Sequence, residues 1–255
     1  MKSMAKALCG LIGALMLPMM ALGNGAMEEE FDQAGRLYRN NDFAGAIAVY
    51  EQIIKSGYSS WELHYNLGNA YFKNGRLGLA ILHYEKAIKS MPRDSDLKSN
   101  LEMARLRVAD QVEAPRLLVW ELLDRARDFY AMNTLACISL TVYLLFIALI
   151  AVYFFLPRGK WKKAAFAAAA PVFILFILLF TTFLWRIWLD KNVQQGIIIA
   201  EKVDVLSAPD ESGQILFSLH EGVKANMEQH LNPYVEIRLP DGKKGWIPQE
   251  TIAEI

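Results

Sequence analysis

The sequence predicts a multi-domain protein in which an α-helical repeat solenoid, two transmembrane α-helices and a small all-β barrel follow one another. Three observations predict this: a 34-residue helical repeat near the start, two uncharged apolar runs in the middle, and short β-rich segments between turn residues at the end. The apolar fraction of 54% and the mean hydropathy of +0.18 exceed soluble averages, as two membrane spans require. The 27 basic and 27 acidic side chains balance, which argues against a globally basic nucleic-acid-binding protein.

Residues 1–23 have the composition of a secretory signal peptide. Lys2 and Lys6 precede an uncharged apolar stretch, and Ala21 and Gly23 are small residues at the positions that a signal peptidase reads. The alternative is an uncleaved signal anchor. Both alternatives export the segment that follows.

Residues 61–94 carry the pattern of a tetratricopeptide (TPR) repeat. The matching positions, counted from Trp61 and in register, are Leu67, Gly68, Tyr71, Ala80, Tyr84, Ala87 and Pro92. The small residues Gly68 and Ala80 allow the two helices of a pair to approach closely, and the tyrosines fill the space beside them. Residues 24–60 form a degenerate copy without the final proline, and residues 95–115 are predicted to be the capping helix that closes the stack.

Such a stack is predicted to bind a segment of a partner protein, because the first helices of successive repeats line a concave groove. The candidate groove residues on the first helix of the better repeat are Tyr65, Asn66, Asn69, Phe72 and Lys73. Amide groups and a lysine suit an extended peptide. Tyr65 and Phe72 also fit a second interpretation, in which they pack against the neighbouring helices.

The segment 116–132 mixes leucines and aromatic residues with both signs of charge, which is typical of an amphipathic juxtamembrane helix lying on the membrane surface. The rival interpretation is a continuous helical stalk. A stalk would hold the repeats away from the bilayer.

Two runs, 133–156 and 164–189, are long and apolar enough to cross a ~30 Å hydrocarbon core as helices. The loop between them, 157–163, has four basic residues and no acidic one, which places it in the cytoplasm by the positive-inside rule. Both flanking regions then lie on the exported side of an inner (cytoplasmic) membrane, in the periplasm. Residues 133–156 and 164–185 contain no ionisable side chain other than Cys137 and tyrosines, so these spans are expected to act as anchors and not as a transport path.

Residues 196–255 change to short β-rich runs separated by turn signals, which predicts a small barrel. The segments Phe217–Gly222 and Asp241–Ile247 resemble the turn and the final element of bacterial SH3-like domains. Such domains often bind cell-wall peptides, so peptidoglycan is a possible ligand of this region.

No motif with a catalytic mechanism behind it is present in the exported segments, so the sequence predicts no enzyme, no catalytic residue and no cofactor. The four histidines, His64, His83, His220 and His230, are scattered across two domains. A shared metal site is therefore not expected.

The order of these segments resembles the BatE-type proteins of the Bacteroides aerotolerance (Bat) group, and Asn100–Arg105 is similar to the closing helix of that family. The resemblance implies a non-enzymatic membrane component that works beside von Willebrand factor A proteins and a MoxR-type AAA+ ATPase, in envelope integrity or oxidative-stress tolerance. The first hypothesis is thus an inner-membrane scaffold whose TPR groove holds a partner protein. The second is a protein that binds or senses peptidoglycan through the SH3-like domain.

Overall fold

A computed structural model describes residues 27–112, 122, 129–210 and 212–255. The predicted signal peptide (1–23) and most of the predicted juxtamembrane helix (116–132) lie outside these residues. The architecture of the remainder follows in chain order: a stack of helices, a hairpin of two apolar helices and an antiparallel sheet.

Five helices form the stack. They are α1 (27–39), α2 (Phe43–Lys55), α3 (Trp61–Lys73), α4 (Leu77–Ser90) and α5 (Ser95–Arg105). Side chains just before α2, α3 and α5 cap their first turns: Asp42 accepts from the Gly45 N–H at 2.9 Å, Ser60 from the Leu63 N–H at 3.2 Å, and Asp94 from the Leu97 N–H at 2.8 Å. Gly75 has φ +80° and turns the chain from α3 into α4.

The helix pair α3 and α4 is as close as the repeat pattern predicts. A Cβ atom placed on Gly68 would lie 2.7 Å from the Tyr84 ring and 3.3 Å from the Ala80 carbonyl oxygen. The other predicted structural residues of the repeat are buried except Pro92, which is half-buried in the turn after α4. The close approach predicted from Gly68 and Ala80 is confirmed.

The predicted capping segment, 95–115, begins with a helix. That helix was expected to run from Ser95 to about Arg107, and α5 ends at Arg105. Beyond that point the chain serves other contacts: Val108 is buried, and the Asp110 carboxylate accepts from the backbone N–H of His220 at 2.6 Å. These contacts to the C-terminal region draw the chain away from the helical path.

Two helices, α6 (Met132–Phe155) and α7 (Lys160–Asn192), are long and apolar enough to cross a membrane by length and composition. They pack against each other through ring contacts such as Phe146 with Phe173 at 4.9 Å. Only 11% of the most apolar window of each helix is buried, unlike the core helix of a soluble protein. The predicted basic loop 157–163 is shorter in the structure, because its lysines are good helix formers and α7 begins at Lys160.

Seven strands form one antiparallel sheet in the order β3-β2-β6-β5-β4-β1-β7. They are β1 (Gln194–Ile198), β2 (Lys202–Leu206), β3 (Ile215–His220), β4 (Lys224–Leu231), β5 (Tyr234–Arg238), β6 (Lys244–Pro248) and β7 (Ile252–Glu254). The prediction of a closed barrel is wrong. The outer strands β3 and β7 do not pair with each other, and β2 meets β6 only at the Leu206 and Trp246 pair. Helix α4 packs against β1, the strand next to the outer strand β7.

The sheet and the helical stack share one hydrophobic core. A Cβ atom on Gly78 of α4 would lie 2.6 Å from the Ile198 carbonyl oxygen, and one on Gly222 would lie 2.9 Å from Ile81. The backbone N–H of Gly78 donates to the Glu221 carboxylate at 2.7 Å. The two regions, predicted as separate domains, are therefore packed directly against each other.

A buried carboxylate lies at this contact. Glu85 of α4 accepts from the Lys224 ammonium of β4 at 3.0 Å and from the Arg105 guanidinium of α5. Burial opposes the charged form, yet the two cations outweigh it and hold the pKa of Glu85 below its usual value. Glu85 thus joins α4, α5 and the sheet as an anion.

Candidate functional site

A cleft of about 340 Å³ opens between α1, α3, α4 and α5. Its walls combine aromatic rings with amide groups and one cation. The lining residues are Tyr38, Tyr65, Asn69, Phe72, Lys73, Tyr84, Asn100 and Met103. Four of the five predicted groove residues are brought together here, while Asn66 lies half-buried on the same helix outside the cleft lining.

Hydrogen bonds fix the floor of the cleft. The Tyr84 hydroxyl donates to Asn69 Oδ1 at 2.7 Å, and Asn100 Nδ2 donates to the same oxygen at 2.9 Å and to the Tyr65 hydroxyl at 3.1 Å. The carbonyl oxygen of Asn69 is therefore already used within the protein. Asn69 thus fixes the positions of Tyr84 and Asn100 in the lining of the cleft, in addition to any contact with a ligand.

Tyr65 and Phe72 are placed between the core and the cleft. Each ring is half-buried and packs against the core, and each also lines the cleft. The guanidinium of Arg107 lies 4.4 Å from the centroid of the Phe72 ring. Lys73 is exposed at the rim, so two cations stand near an aromatic wall.

Burial raises the pKa of both Tyr38 and Tyr84 above the usual value, and the neighbouring tyrosines add to the shift. Both phenols therefore stay protonated near neutral pH. The cleft offers apolar ring surface, polar groups on its walls and positive charge at its rim. This combination suits an extended peptide with an apolar side chain and a nearby carboxylate.

Sequence reasoning missed four of the lining residues as members of the groove: Tyr38, Tyr84, Asn100 and Met103. Tyr84 was assigned only a packing role, and α5 was read only as a cap. The spacing of Asn100 and Met103, three residues apart on one face of α5, is the signal that could have found this wall.

The structure brings together two histidines that the sequence separates. His64 Nδ1 lies 2.9 Å from His83 Nδ1, and His64 Nε2 lies 3.0 Å from the Ser59 hydroxyl. Burial, helped by the charge of His64, lowers the pKa of His83 to about 3, and burial also lowers the pKa of His64. Within the described parts of the chain no group of three metal-ligating side chains is found, so the pair stands as a hydrogen-bonded contact between α3 and α4.

His64 also lines a second cavity of about 440 Å³ at the C-terminal end of α4. Its other lining residues are Ile54, Ser59, Ser60, Lys86, Lys89, Ser90 and Ile255. Burial lowers the pKa of Lys86 there, against the opposing effect of Glu254. The cavity lies where the helical stack meets the last strand of the sheet.

Comparison with known proteins bears on the helical stack. A search of curated proteins gives no match. Residues 31–95 match the family model of the tetratricopeptide repeat, a span that runs from α1 to the first residue of α5. The helical stack that holds the cleft is therefore a tetratricopeptide-repeat region, of the kind that mediates contacts between proteins.

Proposed function

We propose that the protein is a non-enzymatic inner-membrane scaffold that holds a segment of a partner protein in the cleft between α1, α3, α4 and α5. The observation that carries this proposal is the aromatic and amide lining of that cleft within the tetratricopeptide-repeat region. Half-buried rings provide apolar contact area, and the cations Lys73 and Arg107 favour an acidic residue beside the apolar anchor of the partner.

The membrane part of the proposal rests on α6 and α7, whose apolar surfaces face outward. A hairpin of two spans returns the chain to the side from which it came. This agrees with the shared core of the stack and the sheet, which requires both to lie on one side. By the positive-inside rule, the basic residues between the spans favour the periplasm for that side.

The resemblance to the Bat group supports one class of partner. Under this proposal the cleft holds a membrane protein with a von Willebrand factor A domain, and a MoxR-type AAA+ ATPase acts on the same assembly. The process served would be envelope integrity or tolerance of oxidative stress.

The test is purification of the full chain from native membranes in mild detergent, with co-purifying chains identified by mass spectrometry. The test variant is Lys73→Glu with Met103→Glu, because both side chains lie at the exposed rim and the packed rings stay in place. The matched control is Lys98→Glu with Leu106→Glu, which makes the same chemical changes at exposed positions of α5 and its C-cap outside the cleft. We expect von Willebrand-type proteins with the wild type and the control, and their loss with the rim variant.

Equal recovery with both variants, or no specific protein with the wild type, would overturn the scaffold proposal. Co-sedimentation of the whole solubilised protein with purified peptidoglycan is the second arm of the experiment. Pelleting that the rim variant leaves unchanged would support the alternative function, cell-wall binding through the sheet.

A further inference from the structure

The repeat region contacts the ends of both apolar helices. The ammonium of Lys89, at the end of α4, lies 3.6 Å from the Asp190 carboxylate near the end of α7. The guanidinium of Arg93, in the loop after α4, lies 4.6 Å from the ring centroid of Phe129, just before α6. Arg186 of α7 donates to the Tyr130 carbonyl oxygen and joins the two helix ends. The end of α4 and the loop after it therefore lie beside the start of α6 and the end of α7.

The direction of α4 relative to that hairpin follows from its two ends. Strand β1 begins two residues after α7 and runs about 13 Å to Ile198. The start of α4 lies beside the far end of β1, because Gly78 meets the Ile198 carbonyl oxygen. The other end of α4 lies beside the last strand, because Lys89 Nζ donates to the Ile255 carbonyl oxygen at 3.0 Å.

Helix α4 consequently points its C-terminal end at the hairpin and its N-terminal end away from it. A helix of 14 residues is about 20 Å long. The loop after α4 therefore lies beside the ends of the hairpin, and the turn between α3 and α4 is about 20 Å away from that loop along the axis of α4.

The chemistry of that loop fits a lipid surface. Met91 is 38% exposed between the cations Lys89 and Arg93, and Trp188 marks the same level on α7. The Arg93 side chain is exposed, and its guanidinium lies over the Phe129 ring. A guanidinium group binds phosphate through paired N–H donors. Tryptophan, lysine and arginine at this level are typical of side chains that bind lipid headgroups. Asp190 is the acidic group that faces Lys89, and it offsets part of that positive charge.

We propose that the loop after α4, residues 89–93, lies in the headgroup layer of the membrane and binds anionic phospholipid, with Met91 inserted and Lys89 and Arg93 on phosphates. This inference rests on the membrane-spanning hairpin of the proposed function. The tetratricopeptide-repeat region then stands upright on the bilayer, its cleft held at a fixed height.

The experiment measures the depth of single nitroxide labels by their accessibility to oxygen and to a water-soluble nickel complex. The full chain is reconstituted in phosphatidylcholine vesicles with and without phosphatidylglycerol. Labels are placed at Met91→Cys and at Asn74→Cys, an exposed position in the distant turn, each in a Cys9→Ser, Cys137→Ser background. Native Cys137, within α6, is labelled in a Cys9→Ser chain as the marker of membrane insertion.

We expect the Met91 label to favour oxygen and the Asn74 label to favour nickel, with the difference enlarged by phosphatidylglycerol. The substitutions Lys89→Gln and Arg93→Gln should remove the dependence on phosphatidylglycerol. Equal nickel accessibility at Met91 and Asn74, with Cys137 still in the lipid, would overturn the headgroup contact and leave the hairpin intact. A water-accessible Cys137 would overturn both proposals.

Discussion

At the scale of single residues, two helical glycines, Gly68 and Gly35, differ in how closely other atoms pack around them. A Cβ atom built on Gly68 would lie 2.7 Å from the Tyr84 ring, whereas one built on Gly35 would meet only the far ends of two side chains, Arg39 Nη1 at 3.3 Å and the Tyr50 hydroxyl at 4.0 Å. Ala has the higher helix propensity at both sites. Substitution by alanine is therefore expected to lower the free energy of unfolding at Gly68 and to leave it unchanged or raise it at Gly35.

Gly68→Ala should lower the free energy of unfolding of the helical stack by about 2 kcal/mol, because the added methyl group pushes α4 away from α3. Gly35→Ala should leave it unchanged or raise it by up to about 1 kcal/mol. Hydrogen exchange of the α3 and α4 peptides, followed by mass spectrometry, measures both. Equal effects of the two substitutions would show that the close approach at Gly68 does not contribute to stability.

The histidine pair gives the stack a dependence on pH. His83, with its pKa lowered to about 3, is neutral in the fold but takes up a proton in the unfolded chain below about pH 6.5. Stability should therefore be level above about pH 6.5 and fall as the pH drops toward 3. The slope approaches about 1.4 kcal/mol per pH unit for each excluded proton.

Hydrogen exchange of the α4 amides tests this slope, because the exchange rates measured between about pH 5 and 7 give opening free energies. Glu85 stays ionised over that interval, since its pKa lies below the usual value. His83→Gln should reduce the slope and leave the part that comes from His64, whose pKa burial also lowers, while His230→Gln, at an exposed position of β4, should leave the slope unchanged. A slope of the same size in wild type and His83→Gln would contradict this origin.

At the scale of elements, the predictions from sequence succeed where the signal is local. The TPR positions are set by helical spacing, and six of the seven strands coincide with apolar runs between turn residues. Strand β7 was missed because Ile252–Glu254 is too short to show an alternating pattern. The contact of Glu85 with Lys224 joins residues 139 apart, and no periodicity reports such a pair.

Glu85→Gln should reduce the free energy of unfolding by about 1 to 2 kcal/mol, because it removes the anion between Lys224 and Arg105. Both cations are partly exposed and regain water, so the loss is smaller than for a fully buried pair. Glu102→Gln, at an exposed position of α5, is the control and should change stability by less than about 0.5 kcal/mol. If the effect of Glu85→Gln is the same in a Lys224→Met chain, the two side chains are not coupled.

For the whole molecule, the core shared by the stack and the sheet predicts that they unfold as one unit. The cleft itself was only partly predictable: the spacing of Asn100 and Met103 places them on one face of α5, but the packing of that face beside α3 and α4 is a tertiary contact. The docking of α4 on the sheet was not predictable, since its polar contacts to the C-terminal region join residues 139 to 166 positions apart.

Amide hydrogen exchange, measured at increasing denaturant concentration, should give α4 and β4 the same opening free energy in the full chain. Gly78→Ala should separate the two, because its methyl group would meet the Ile198 carbonyl oxygen at 2.6 Å. Gly159→Ala, where a built Cβ atom meets nothing within 4 Å, is the matched control. Separate opening of α4 and β4 in the unaltered chain would contradict a common unit.

A single residue, Val193, separates the last residue of α7 from the first residue of β1. So short a joint has no slack, and the strand must turn and tilt with the helix. Helix α7, the sheet and the docked repeats therefore tilt together. Under the proposal that α7 spans a membrane, a small change of its angle, from a thinner bilayer or a neighbouring protein, displaces the docked repeats by a larger distance than the end of the helix itself.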